Sequence, residues 1–230
     1  NPDYILWDEN GLTQVTKPSG SDVYVPVSPA YWFTGYSYDF IAVAPYTNSG
    51  IQSTSVNTAT NTLTFSYDLA SKYALKGITG VAAKDHYEFD LMAATDKTDP
   101  IPQTKPLTQE LIFCHLFAQI NMNVSFVDAN GNAVTNGTVS QMRLSKIDTD
   151  GTYTIAYDDN QANDLSVTFM NGTSTNGTVT FDGPTGCLHI VPQNITGLEM
   201  YIDFTLNNVE YRDFKINLNA AGNPEYYGYN

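Results

Sequence analysis

Between positions 112 and 126 every even residue is apolar: Ile112, Cys114, Leu116, Ala118, Ile120, Met122, Val124 and Phe126. The odd positions turn polar from Gln119 onward, through Asn121, Asn123 and Ser125. A strand sends successive side chains to opposite faces, so this period of two predicts a half-buried strand with one wet face. Its first part, with Leu111, Phe113 and Phe117, is apolar on both faces, as where a strand lies between two layers. The stretch ends at Asp128-Ala129-Asn130-Gly131, and Asn-Gly supplies the positive φ of a tight hairpin turn. Comparable pairs recur at Asn136-Gly137, Asp150-Gly151, Asn171-Gly172, Asn176-Gly177 and Asp182-Gly183. Between them, strands are expected over 142–147, 152–157, 165–169, 178–181, 188–191, 200–206 and 211–218. In the first half they are expected over 23–27, 38–43, 62–67 and 86–93, with a short helix over 68–77 capped by Asp68 and stopped by Gly77. Short strands at this spacing predict an all-β chain of antiparallel sandwiches rather than βαβ units.

The strongest break in the pattern is Asp96-Lys97-Thr98-Asp99-Pro100-Ile101-Pro102-Gln103-Thr104-Lys105-Pro106, with three prolines and no apolar period. Proline removes a backbone donor and restricts the residue before it, so no regular element is expected there. It reads as a linker between two β-sandwich domains, 1–104 and 105–230.

Composition sharpens this picture. Tyrosine is abundant (16 residues) and Lys+Arg total only 10, a balance that suits sheets and turns. The net charge of −14 leaves no basic footprint for nucleic acid and no electrostatic docking on anionic lipid. No apolar run approaches the roughly 20 residues of a membrane-spanning helix. Asn1-Pro2-Asp3 shows neither the basic segment nor the apolar run of a signal peptide.

Candidate chemistry is sparse. Two cysteines, Cys114 and Cys187, exclude a disulfide framework and a four-cysteine zinc site; one bridge or two buried thiols both fit. His86, His115 and His189 are scattered, with no metal-ligand spacing, and the last two fall inside strand runs as packed histidines. No nucleophile elbow, phosphate loop or dinucleotide fingerprint occurs, so the chain is not expected to be an enzyme or to hold a cofactor or metal. The calcium-like stretches beginning at Asp128 and Asp148 lack the closing glutamate and read as turns. Five Asn-x-Ser/Thr sites, at Asn123, Asn136, Asn171, Asn176 and Asn194, matter only where the source glycosylates them. The aromatics around Tyr31, Trp32 and Tyr36 either fill a core or form a sugar-stacking platform on the surface.

Four segments, in order, resemble those of one family. Tyr38-Asp39-Phe40-Ile41-Ala42-Val43-Ala44-Pro45-Tyr46 resembles a strand of the first domain of fimbrillin-like proteins of the Bacteroides group. Asp90-Leu91-Met92-Ala93-Ala94 resembles the strand closing that domain, and Phe113-Cys114-His115-Leu116-Phe117-Ala118-Gln119-Ile120 the one opening the second. Ile190-Val191-Pro192-Gln193 resembles a late element of the second domain. The resemblance implies two tandem antiparallel β-sandwich domains of transthyretin-like topology. It further implies a fimbrial subunit at the cell surface or outer membrane: stalk, tip or anchor. Its partners would be other fimbrial subunits, joined by strand exchange, and a host or bacterial receptor or glycan. Membrane attachment would come only through a lipid anchor lost before Asn1. The family's maturation cleavage follows an arginine, whereas the first arginine here is Arg143. The ending that carries Tyr226, Tyr227 and Tyr229 resembles the family's terminal donor strand only faintly. An outer-surface glycan-binding module is the alternative function.

Overall fold

A computed structural model describes residues 14–27, 34–44, 51–68, 91–100, 108–172, 177–193 and 197–216. The expected alternation becomes alternating burial. In β5 (Thr62–Asp68) the odd residues Leu63, Phe65 and Tyr67 are buried, and the even ones are only partly so. The same inward set recurs as Tyr153 and Ile155 in β10 (Asp150–Tyr157) and as Val179 and Phe181 in β12 (Gly177–Asp182).

The other strands are β1 (Val15–Thr16), β2 (Val25–Pro26), β3 (Asp39–Ala44), β4 (Ile51–Asn57), β6 (Met92–Lys97), β7 (Cys114–His115) and β8 (Ala118–Asn123). They continue with β9 (Gly137–Ile147), β11 (Leu165–Asn171), β13 (Thr185–Ile190), β14 (Glu199–Leu206) and β15 (Val209–Ile216). All pairings are antiparallel. The sheets run β1-β2, β3-β6-β7, β11-β10-β5-β4, β12-β9-β14-β15 and β13-β8. Among the described residues helical structure is 3-10 alone, in a turn at Ala162–Asp164 and at Gly197. The chain is all-β with several antiparallel sheets.

Two pairings connect residues on either side of position 104. β5 meets β10 from Thr62↔Ala156 to Asp68↔Asp150, and β6 meets β7 at Met92↔His115 and Ala93↔Cys114. Of the linker expected over 96–106, Asp96 and Lys97 instead end β6, held by pairing with Phe40 and Asp39, while 101–107 lie outside the described residues, as does most of the helix expected over 68–77.

The long strand expected over 112–126 is divided. Leu116 and Phe117 are both buried, and the chain bends there, leaving the β3-β6-β7 sheet to pair with β13. Beyond the bend the alternation holds as foreseen, with Ile120, Met122, Val124 and Phe126 packed on the core and Gln119, Asn121, Asn123 and Ser125 exposed. Phe117 meets Tyr67 edge-on at 4.8 Å, while Tyr153 stacks on Phe65 at 5.3 Å. The buried Tyr153 hydroxyl donates to the Leu116 carbonyl at 3.0 Å, which satisfies its polar end; burial pushes the phenol far above its ordinary pKa.

One expected turn is not a turn. Asp150-Gly151 lies inside β10, where a Cβ on Gly151 would collide with the Phe169 ring of neighbouring β11. Glycine stands there for close approach. Asp182-Gly183 is a true turn, with Gly183 at φ 83° carrying the chain from β12 into β13.

Candidate assembly surface

The β12-β9-β14-β15 sheet has an inner face built from Val179 and Phe181, Met142 and Leu144, then Met200, Ile202 and Phe204. Register continues that face onto β15. Ile216 lies opposite Met200, Phe214 opposite Ile202, Tyr211 opposite Phe204 and Val209 opposite Leu206. Directly opposed residues of an antiparallel pair share a face, so the apolar set of β15 points to the core side. Yet Phe214 is 52 % exposed, Val209 52 % and Tyr211 41 %, against 4 % for Ile202.

The reason is the width of the covering layer. Among the described residues it holds two strands, β13 and β8. β13 lies over β12, since a Cβ on its Gly186 would meet the Phe181 ring. Beyond β8 the chain places Phe126 5.2 Å from Phe204 of β14. Among the described residues the cover therefore ends over β14. Phe204 completes the link to β15, stacking on Tyr211 at 4.7 Å and meeting Phe214 edge-on at 5.6 Å. Among the described residues, no strand pairs with the second edge of β8.

A bulge keeps the β15 apolar set in phase. Arg212 and Asp213 together oppose the single residue Asp203, so the inward positions change from even (Ile216, Phe214) to odd (Tyr211, Val209). Asp213 takes the left-handed φ of 53°, and its N–H donates to Asp203 Oδ1 at 2.8 Å. Arg143 Nη2 binds the same oxygen at 2.9 Å and reaches Asp213 at 2.5 Å. The bulge interrupts the outer hydrogen-bonding edge of β15, a common means of blunting an exposed edge. Nothing interrupts β8 in this way.

The opposite, solvent face of this sheet is charged. Glu199 accepts from Lys146, Lys215 and Tyr201, each at 2.8 Å. These donors hold its carboxyl down to about 2, and Glu199 in turn raises Lys215 and Tyr201. Hydrogen bonding to Asp213 raises Arg143 further. One face of β15 is thus apolar and half-exposed, the other charged and paired.

Of the residues singled out by sequence, Tyr36 is 58 % exposed beside the Gly35 turn. Tyr31, Trp32, Tyr226, Tyr227 and Tyr229 lie outside the described residues, as does His86. His115 is half-buried in β7 and His189 buried in β13. No disulfide joins Cys114 and Cys187, so the bridged alternative is not formed. The Asp128 stretch closes a loop beneath the Val127↔Ala133 bridge: its carboxylate accepts from the Asn132 side-chain amide and from the backbone N–H groups of Asn132 and Asn130, which lowers its pKa. Among the described residues no three His, Cys, Asp or Glu side chains are grouped to hold a metal, and no helix is long and apolar enough to cross a membrane. The β15 stripe escaped sequence reading because the bulge breaks its period of two. The charged pair Arg212-Asp213 between Tyr211 and Phe214 is the signal of that break.

Fold and surface together define a class: an all-β protein of several antiparallel sheets, one of which carries a half-exposed apolar stripe along an edge strand. The fimbrillin-like family model matches residues 9–227, nearly the whole chain, and the chain belongs to that family. The family is one of structural fimbrial subunits of the cell surface. No match was found among curated proteins or among solved structures.

Proposed function

We propose that this protein is a fimbrial subunit assembled by strand complementation, with the acceptor position beside β8 and above β15. The observation that carries the reading is the half-exposed stripe Val209, Tyr211 and Phe214 on the core side of the sheet. An extended segment from a neighbouring subunit would pair with the open edge of β8, and its alternate side chains would cover the stripe. Such a head-to-tail contact does not close on itself and so builds a filament. The sheets support a reading as two sandwiches of transthyretin-like topology. One pairs β3-β6-β7 with β4-β5-β10-β11, and the other pairs β8-β13 with β12-β9-β14-β15. The β10–β11 hairpin then belongs to the first sandwich although it follows the linker in sequence.

The donor we propose is the C-terminal segment with Tyr226, Tyr227 and Tyr229. The test is a synthetic peptide of residues 217–230 titrated into the protein, with hydrogen exchange read at the amides of β8. Saturable binding that slows exchange there supports the reading, and Phe214→Ser should abolish it. Binding that leaves β8 unprotected would refute the acceptor position. If the peptide fails to bind while protease-trimmed protein still forms strand-exchanged oligomers, the donor is a different segment.

A second reading, an outer-surface glycan-binding or receptor-binding role at a pilus tip, draws on the exposure of Tyr36 with Tyr31 and Trp32 nearby in sequence. Glycan-array binding lost on Trp32→Ala supports it, and silence across the array counts against it. Outer-membrane anchoring through a lipid belongs to the same proposal and rests on the family alone.

A further inference from the structure

We propose that Gln193 is a latch that fixes the angle between the two four-stranded sheets, and that without it the dipeptide Asp148-Thr149 becomes a hinge. The chain passes from β9, which ends at Ile147, into β10, which begins at Asp150, through these two residues alone. Ile147 belongs to the β12-β9-β14-β15 sheet and Asp150 to the β11-β10-β5-β4 sheet. So short a crossing sets the relative orientation of two large sheets, and Asp148 lies outside the ladders of both.

The Gln193 carboxamide supplies both missing partners. The Asp148 N–H donates to Gln193 Oε1 at 3.0 Å, and Gln193 Nε2 donates back to the Asp148 carbonyl at 3.3 Å. The same nitrogen donates to the Val191 carbonyl at 3.2 Å, which holds the side chain to its own segment just beyond β13. Exits from β9 and β13 and the entry to β10 are thereby joined at one point. Secondary ties tighten it. Asn171 Nδ2 donates to the Asp148 carboxylate at 3.0 Å, and the Gly172 N–H donates to the Asp150 carbonyl at 2.9 Å. Ile147 and Val191 are fully buried and Thr149 nearly so, while Asp148 and Gln193 themselves are half-buried. Satisfying the N–H and the carbonyl of Asp148 together demands a side chain that donates and accepts from one fork. Methionine has the length without either function, and glutamate keeps the acceptor but, when ionised, loses the donor. The latch is independent of whether the subunit polymerises.

The test is hydrogen exchange on the full chain, comparing wild type with Gln193→Met and Gln193→Glu. Asp148 and Thr149 amides should exchange at least tenfold faster in Gln193→Met, while the amides of Met142, Leu144, Met200 and Ile202 keep their wild-type rates. Gln193→Glu should fall between the two, and limited proteolysis at 148–149 should follow the same order. Unchanged exchange at Asp148 in either variant overturns the proposal. So does equal acceleration throughout the sheets, since that reports loss of global stability and not release of one joint. Should Gln193→Met fail to fold, the milder Gln193→Glu carries the same comparison.

Discussion

β12 and β15 are the two edges of one sheet, and their fates differ. Each is an edge strand with a well-formed partner, and each offers apolar side chains to the core side. In β12 those side chains vanish from the surface, with Val179 and Phe181 fully buried; in β15, Val209, Tyr211 and Phe214 remain about half-exposed. Strand pattern does not separate them. What does is the opposite layer: β13 turns at Gly183 and folds directly over β12, whereas among the described residues the cover stops over β14. Burial here is a property of sheet width, and the apolar stripe left outside the cover is the surface that the proposed donor strand would fill.

The comparison is tested most severely at Phe181. Phe181→Ala should cost about 3–5 kcal/mol in denaturant unfolding, because a large, fully buried ring leaves a cavity. Gly186→Ala offers a sharper form of the same test. Its added methyl collides with Phe181 in the wild type but not in Phe181→Ala, so the double variant should be less destabilised than the sum, with a coupling of about 0.5–3 kcal/mol. Strict additivity would show that β13 does not press on β12. Next in size is Gly151→Val, which forces a branched side chain into the Phe169 ring. Overpacking of this kind costs about 1–3 kcal/mol, and a neutral result would mean that the β10–β11 hairpin can shift aside.

How far these differences were legible in the sequence depends on the range of the interaction. The alternation from Ala118 to Phe126 is local, and its inward and outward sets are those observed. Strands β9 to β15 likewise overlap the expected segments, because Gly-, Asn- and Asp-rich turns punctuate them. β4 was missed: its serines and threonines, Ser53, Thr54 and Ser55, give no apolar period, and its place comes from pairing with β5. Asp150-Gly151 mimicked a turn because sequence alone does not distinguish a glycine needed for its φ from one needed for the absence of a Cβ. The β5–β10 ladder joins residues nearly ninety positions apart, as in the Thr64–Thr154 hydroxyl contact at separation 90, and no local signal announces it. The β15 stripe was hidden by a single extra residue at the bulge.

On β15 itself the expected effect on the isolated protein is smaller. Phe214→Ser should change unfolding free energy by less than about 1 kcal/mol, as for substitutions at half-exposed positions. The same substitution should eliminate binding of the 217–230 peptide. That split, little stability lost and all association lost, is the signature of a surface kept apolar for a partner. A loss of several kcal/mol would instead place Phe214 in the monomer's own core.

The smallest effect belongs to the charged side of the same strand, and pH reveals it. Glu199 has its carboxyl lowered from 4.5 to about 2 by Lys146, Lys215 and Tyr201. A carboxyl whose folded pKa lies below its unfolded value contributes stability that is fully present above the unfolded value and lost as pH falls through the folded one. The window is therefore pH 4.5 down to about 2. Across it the melting temperature of wild type should fall more than that of Glu199→Gln, which cannot ionise at this position. The gap should shrink in high salt, because the Lys146 and Lys215 side chains are roughly half-exposed and screened. Equal acid sensitivity in the two proteins would mean that the lysines hold Glu199 too loosely to matter. The face of β15 turned away from the core would then contribute solubility alone, and the stability difference between the two edges of the sheet would rest on the covering layer by itself.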